Sequence, residues 1–308
     1  MSRHRFTLYL AIILAVVSLP LLGETAGNIV ASLKKYTPEQ FEALRKMAKN
    51  DPQAQNILGL AYLTQTKVQQ DYEEAYQLFH KAAVRGYSPA QNNLAYMYMH
   101  GLGMRADMQQ ACEWLRRAAQ AGELLSQVNL ANLYFTGTGV QQDYREAAKW
   151  FEIAARSGDS GSENNLGLIY HGGLGVAKDY AAAARWFRAA AEQGVAQAQN
   201  NLGLLYMKGE GVVQDHHEAL KWFTLSAQQG NVNAQENLAS LYVHGHCMPE
   251  DLVSAYAWML LAAAREDRDK KFLHDFELRM SPQQLETARQ RAKEWTAAHN
   301  NATASVRF

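Results

Sequence analysis

The chain has 308 residues, 48% of them hydrophobic and 19% charged, which excludes a disordered polar chain. Its 30 Lys and Arg balance its 30 Asp and Glu, and no long basic run interrupts that balance. The electrostatic footprint of a nucleic-acid binder, or of a polybasic membrane-adhesion segment, is therefore missing.

The first element is apolar. Arg3, His4 and Arg5 precede an uncharged run from Phe6 to Leu22, with Pro20 and the small Gly23 at its end. This is the layout of a secretory signal peptide over residues 1–23, although Leu21 is larger than a cleavage site prefers. The run is 17 residues, at the short limit for a membrane span, so an uncleaved N-terminal anchor is the alternative. No cysteine lies near residue 20, which excludes a lipoprotein anchor. Without residues 1–23 the chain would carry 28 basic and 30 acidic residues, a formal charge of −2.

Residues 24–50 read as a linker and a capping helix, opened by Thr37-Pro38, running to Lys49 and stopped at Asn50. From residue 51 a strict 36-residue period takes over. It links Asp71, Asp107, Asp143, Asp179, Asp215 and Asp251. It also links Tyr62 through Tyr242, Leu58 through Leu238 and Gly86 through Gly230. Six units tile residues 51–266 without an insertion: 51–86, 87–122, 123–158, 159–194, 195–230 and 231–266.

Each unit spells a helix, a glycine-containing turn and a second helix. The Asp column predicts N-caps for the second helices, and Glu74, Gln110, Glu146 and Glu218 three positions on predict capping boxes. Ala182 and Ser254 break that pattern. In the fifth unit Ala219, Trp222, Phe223, Ser226 and Ala227 form one apolar stripe at helical spacing. The Gly230 column suits a left-handed residue just past the second helix. Gly203 and its counterparts Gly59 and Gly167 fall inside the first helix, where close helix packing has to compensate for lost helix propensity. Residues 267–308 read as capping helices and a tail, with Ser281-Pro282 opening a helix to about Ala298. Caps at both ends cover the apolar faces that a repeat array would otherwise expose.

Ala198-Gln199-x-Asn201-Leu202-Gly203-x-x-Tyr206, Gly209-x-Gly211-Val212, Asp215, Ala219, Trp222, Ala227 and Gly230 together resemble the Sel1-like repeat, a relative of the tetratricopeptide repeat. The resemblance implies an all-α fold: an α/α solenoid with a right-handed superhelix, six helix-turn-helix repeats and helical caps. Gln65 and Lys67 depart from it where the first loop's glycines are expected, as does Cys247 in the sixth loop. The tail, with Ala255-Tyr256-Ala257-Trp258, Met280-Ser281-Pro282, Ala288, Ala292 and Trp295, is similar to that of bacterial Sel1-repeat proteins. That similarity and the leader imply a periplasmic or secreted protein, or one anchored in the inner membrane and facing the periplasm.

Catalytic and cofactor motifs are weak. Gly209-x-Gly211 and its counterparts follow no strand and continue into neither phosphate-loop pattern, so they read as turns. His244, His246 and Cys247, with His216 and His217 one unit earlier, are soft metal ligands without matching spacing. Cys112 and Cys247 lie four units apart, too far for a disulfide within one stacked array, so both read as free thiols. The tryptophan and tyrosine columns read as core. The Asn93, Asn129, Asn165, Asn201 and Asn237 column reads as side chains bonded to nearby backbone. No cofactor, metal or catalytic residue is expected.

One face of each first helix lies opposite the buried leucine: Asn92, Tyr96 and Met99; Val128, Asn132 and Phe135; Asn164, Leu168 and His171; Asn200, Leu204 and Met207. In related helical-repeat folds this face lines the concave groove, and here it is unusually apolar, the signature of a partner site. Packing against the next turn of a tight superhelix is the alternative use of such residues. The expected function is a non-catalytic adaptor of the bacterial cell envelope that binds a protein or peptide, with no nucleic acid and with membrane contact only through the N-terminal segment. A secreted host-interaction factor is one alternative. A cell-wall or β-lactam hydrolase is another, weakened because the regular cysteine pairs of the cysteine-rich Sel1 relatives are missing.

Overall fold

The computed structural model describes residues 24–244, 249–265 and 271–305. The leader expected at 1–23, and His246 and Cys247, lie outside them. The chain separates into two compact units, residues 1–159 and 160–308. In the first, α1 (Glu24–Leu33) and α2 (Pro38–Met47) precede three helix pairs. These are α3 (Pro52–Leu63) with α4 (Tyr72–Val84), α5 (Ser88–His100) with α6 (Met108–Gln120), and α7 (Leu124–Thr136) with α8 (Tyr144–Arg156). The second holds α9 (Ser160–Gly172) with α10 (Tyr180–Glu192), α11 (Ala196–Lys208) with α12 (His216–Gln228), and α13 (Val232–His244) with α14 (Leu252–Arg265). Two further helices, α15 (Lys271–Arg279) and α16 (Pro282–Ser305), pack on α14. Inside each unit the paired helices pack on their sequence neighbours, the arrangement of an all-α solenoid. The described residues contain no strand.

The Asp column sets the phase of each pair. Asp215 has extended backbone and its carboxylate accepts from the Glu218 N–H at 3.1 Å, capping α12. Its own N–H donates 3.0 Å back to the Tyr206 carbonyl in α11. The same return bond joins Asp71 to Tyr62, Asp107 to Tyr98, Asp143 to Tyr134, Asp179 to Tyr170 and Asp251 to Tyr242. This bond corrects the expected capping boxes. The N–H that Glu74, Gln110, Glu146 or Glu218 was to accept from is already spent on a tyrosine carbonyl, so only the aspartate half forms. Glu218 turns instead to Lys221 and to the indole N–H of Trp222. Complete boxes occur in the caps, at Thr37 with Gln40 and at Ser281 with Gln284.

The turn glycines are packing surfaces as well as bends. Gly211 has φ +72°, and a Cβ there would stand 2.2 Å from the Tyr180 backbone, at the start of the preceding pair's second helix. Gln65 and Lys67 keep the same left-handed backbone without being glycine, at φ 56° and 65°. Their strain is of the order of 1 kcal/mol each. Lys67→Gly is expected to stabilise the protein by up to about 1 kcal/mol, read as a higher urea midpoint with an unchanged slope.

Glycine inside the first helices answers to phenylalanine in the second. A Cβ on Gly59, Gly167 or Gly203 would lie 2.7, 2.4 or 2.7 Å from the ring of Phe79, Phe187 or Phe223. Each of those rings is almost fully buried. Where the second helix carries Leu115 in place of Phe, the first helix carries Ala95. Ala131 faces Phe151 without a glycine, and there Phe135 meets the Phe151 ring edge-on at 6.1 Å. Gly203→Ala is therefore expected to destabilise by about 1–3 kcal/mol, although alanine is the better helix former by about 1 kcal/mol. Adding Phe223→Leu should reduce that penalty, which a double-mutant cycle in urea measures.

Candidate partner-binding surface

The face predicted from the first helices divides in two. Tyr96, Met99, Asn164, Leu168, His171, Leu204 and Met207 are half-buried. Asn92, Asn132, Phe135 and Asn200 are interior, with 3, 8, 6 and 5% of their surface exposed. These four are corrected from open surface to core. A helix with neighbours on two sides buries a wider arc than one centred on a single leucine, and positions at its margin go under.

The asparagines show what fills that arc. Asn93 Nδ2 donates to Asn56 Oδ1 at 2.8 Å, Asn129 to Asn92 at 3.2 Å, Asn201 to Asn164 at 3.4 Å and Asn237 to Asn200 at 2.9 Å. Ser126 Oγ adds a second bond to Asn92 Oδ1 at 3.1 Å. Each bond runs from one repeat to the one before it, so the asparagine column links side chain to side chain and not, as expected, side chain to nearby backbone. A glutamine column works beside it. Gln91, Gln127, Gln199 and Gln235 donate from Nε2 to the carbonyls of Ala83, Ala119, Ala191 and Ala227 at 3.0–3.3 Å, near the C-terminal end of the preceding helix. The i to i+37 spacing of the asparagine bonds is visible in the sequence, but it becomes a signal only once successive first helices are known to stand side by side.

What remains accessible on this face is mainly apolar. Leu168 packs at the edge of one core cluster, Leu204 and Met207 at the edge of the next. His171 lies 3.3 Å from Glu210 and edge-on to Tyr180. Tyr96 lies tilted against His100, with 4.4 Å between ring centroids. The tyrosine column is half-buried throughout, and Trp114 and Trp222 are interior while Trp150, Trp186 and Trp258 are half-buried.

The second helices offer a different feature, an open depression of about 730 Å³ lined in part by Arg188, Tyr206, Glu218, Lys221 and Trp222. Several of its polar groups are engaged with one another. Arg188 donates to the Tyr206 hydroxyl, and Glu218 accepts from Lys221 and Trp222. No nucleophile and base converge there. Among the described residues no cluster of three or more His, Cys, Asp or Glu could hold a metal. His244, from the weak metal pattern, lies 2.8 Å by its Nδ1 from the Ser240 carbonyl. Cys112 is buried without a disulfide, and burial pushes its thiol up from the ordinary range, the opposite of what a nucleophile needs. Asp215 titrates below the ordinary carboxylate range through its bond from the Glu218 N–H, as a helix cap should.

A Sel1 repeat family model matches residues 52–87, 88–123, 124–159, 160–195, 196–231 and 232–267. The chain belongs to the Sel1 repeat family. Among solved structures it is similar to c5321, a protective antigen present in uropathogenic Escherichia coli strains, at 31% identity and a TM-score of 0.75. That match covers 85% of this chain and 56% of the other, so this chain spans little more than half of that neighbour's length. It is also similar to a Sel1 repeat protein from Oxalobacter formigenes, at 35% identity and a TM-score of 0.61, covering 75% of this chain and 91% of that one. No curated protein matches. Sel1 repeat solenoids are generally protein–protein interaction scaffolds and typically non-catalytic. No helix among the described residues is long and apolar enough to cross a membrane.

In these Sel1 repeats the asparagine pairs should behave as structural links. Asn200→Ala leaves the Asn237 amide without its acceptor and is expected to cost about 1–3 kcal/mol in urea unfolding. A double-mutant cycle with Asn237→Ala should return a coupling of at least about 0.5 kcal/mol.

Proposed function

We propose that the protein is a non-catalytic adaptor of the bacterial cell envelope, and that it takes a protein or peptide partner on the first-helix face of its repeats. The observation that carries this reading is the set of half-buried apolar side chains at Leu168, Leu204 and Met207, which the packing of the repeats leaves at the edge of the core. Methionine and leucine on such a face adapt to a partner's shape. In the other unit Tyr96 and Met99 hold the matching positions, and Asn164 and His171 supply polar groups beside the apolar ones. Asn92, Asn132, Phe135 and Asn200 support that face from beneath.

A host-facing reading is favoured by one observation, the similarity to a protein described as a protective antigen. It requires export, which Arg3, Arg5 and the run from Phe6 to Leu22 support. Sequencing the mature N-terminus separates the forms: a start near Glu24 supports release, and a start at Met1 supports anchorage.

The adaptor reading is tested with a photo-crosslinking side chain placed in cells at Leu204 or Met207, and at Leu225 on the outer surface of α12 as the control. One partner protein is expected from 204 and 207 and not from 225. Leu204→Ser with Met207→Ser should lower its affinity by at least about tenfold with unchanged helicity, since each loses a buried-apolar contact worth roughly 1–2 kcal/mol. Equal capture from all three sites, or undiminished affinity in the folded double variant, counts against this surface.

A further inference from the structure

The second helix of the last repeat departs from the other five on its outer face. One column reads Gln77, Glu113, Lys149, Arg185 and Lys221 in the earlier repeats and Ala257 in α14. That column is exposed in all five earlier repeats. Another reads His80, Arg116, Glu152, Arg188 and Thr224, and α14 has Leu260 there. Positions that are polar elsewhere are here apolar, the composition of a covered surface. The chain itself covers only part of it. Ala257 is buried in a cluster with Ala288 of α16, which packs on α14. Leu260 stays half-buried and Ala264 exposed. Both open into a groove of about 500 Å³ between α14 and α16, and its other wall includes Arg289, Ala292, Lys293 and Ala297.

We propose that this groove docks an acidic amphipathic helix of a partner protein, on a surface separate from the first-helix face. The charge of the groove selects the partner: among the described residues that line it none is acidic, and Arg289 and Lys293 are both cations. They stand one turn apart on α16, about 6 Å along its axis. A helix laid in the groove has the same pitch, so carboxylates at i and i+4 along its edge meet both cations. Its apolar stripe then lies over Leu260 and Ala264, the positions left uncovered. The small side chains of Ala264, Ala292 and Ala297 let a third helix approach closely. From Arg289 to Ala297 the α16 wall runs about 12 Å, the length of rather more than two helical turns. The groove is open along its length, which suits a segment of polypeptide; a small molecule is bound by enclosure.

The test uses the purified full chain and two dye-labelled helical peptides, read by fluorescence anisotropy. Both peptides carry leucine along one face; one has glutamate at i and i+4 on the edge of that face and the other has lysine. The glutamate peptide is expected to bind saturably and at least about tenfold more tightly than the lysine peptide. Lys293→Glu should reverse that order, with helicity unchanged. Lys293 is chosen because it is exposed, whereas Arg289 also stands beside the Tyr256 hydroxyl. If that variant does not fold, Ala264→Glu decides, since it puts a like charge and added bulk in the groove and should lower affinity for the glutamate peptide by a similar factor. The chain with Leu204→Ser and Met207→Ser should bind the glutamate peptide as the unaltered chain does. Loss there would place the peptide on the first-helix face and overturn this proposal alone. Equal binding of the two peptides, or undiminished binding of the glutamate peptide to a folded Lys293→Glu chain, also overturns it. So does binding of phosphatidylglycerol vesicles in place of the peptide, or a dimer in sedimentation that Lys293→Glu dissolves and the peptide does not.

Discussion

One aspartate per repeat ties the two helices of each pair together. Its N–H is bonded to the tyrosine carbonyl of the first helix, and its carboxylate caps the second. The turn between them is therefore closed at a fixed length, and the second helix begins at the same place in every repeat. A change in that length would rotate the apolar stripe out of register with its neighbour. The strict 36-residue spacing follows from this constraint. It also explains why Gln65 and Lys67 hold left-handed backbone without glycine: the turn's geometry is imposed from both ends, and the residues between must comply.

Given that phase, the remaining contacts can repeat. The phenylalanine of the second helix enters the space that a missing side chain leaves in the first, at Gly59, Gly167 and Gly203. The glycine's poor helix propensity is offset by ring burial. Between repeats the apolar contacts set no preferred depth, since leucine packs acceptably over a range of positions. The asparagine and glutamine bonds do set one, because a hydrogen bond weakens steeply away from its proper length and angle.

These bonds also decide what is left for a partner. Asn92 and Asn200 are buried holding the next repeat, and Phe135 lies under its neighbours, so the available surface is narrower than one whole helix face. Apolar side chains at Leu168, Leu204 and Met207 remain at its edge. Within each compact unit, repeats linked by side-chain bonds and edged by adaptable apolar side chains make a surface suited to recognition. On α12 Glu218 is paired with Lys221 and Trp222, and the one described cysteine is sealed in the core.

The period, the helix pairs, the aspartate caps and the glycine stops could all be read from the sequence, because each is a local property repeated six times. Repetition made signals that are weak in one copy decisive together. The capping boxes could not be judged that way, since whether the Asp215 N–H is free depends on a tyrosine carbonyl nine residues earlier in the folded turn. The same holds for the candidate surface. Tyr96 and Asn92 are both far from Leu94 around a helical wheel, yet only Asn92 is covered, because the next repeat supplies Ser126 and Asn129 to meet it. A wheel describes one helix, and burial in a repeat array is set by the helices on either side.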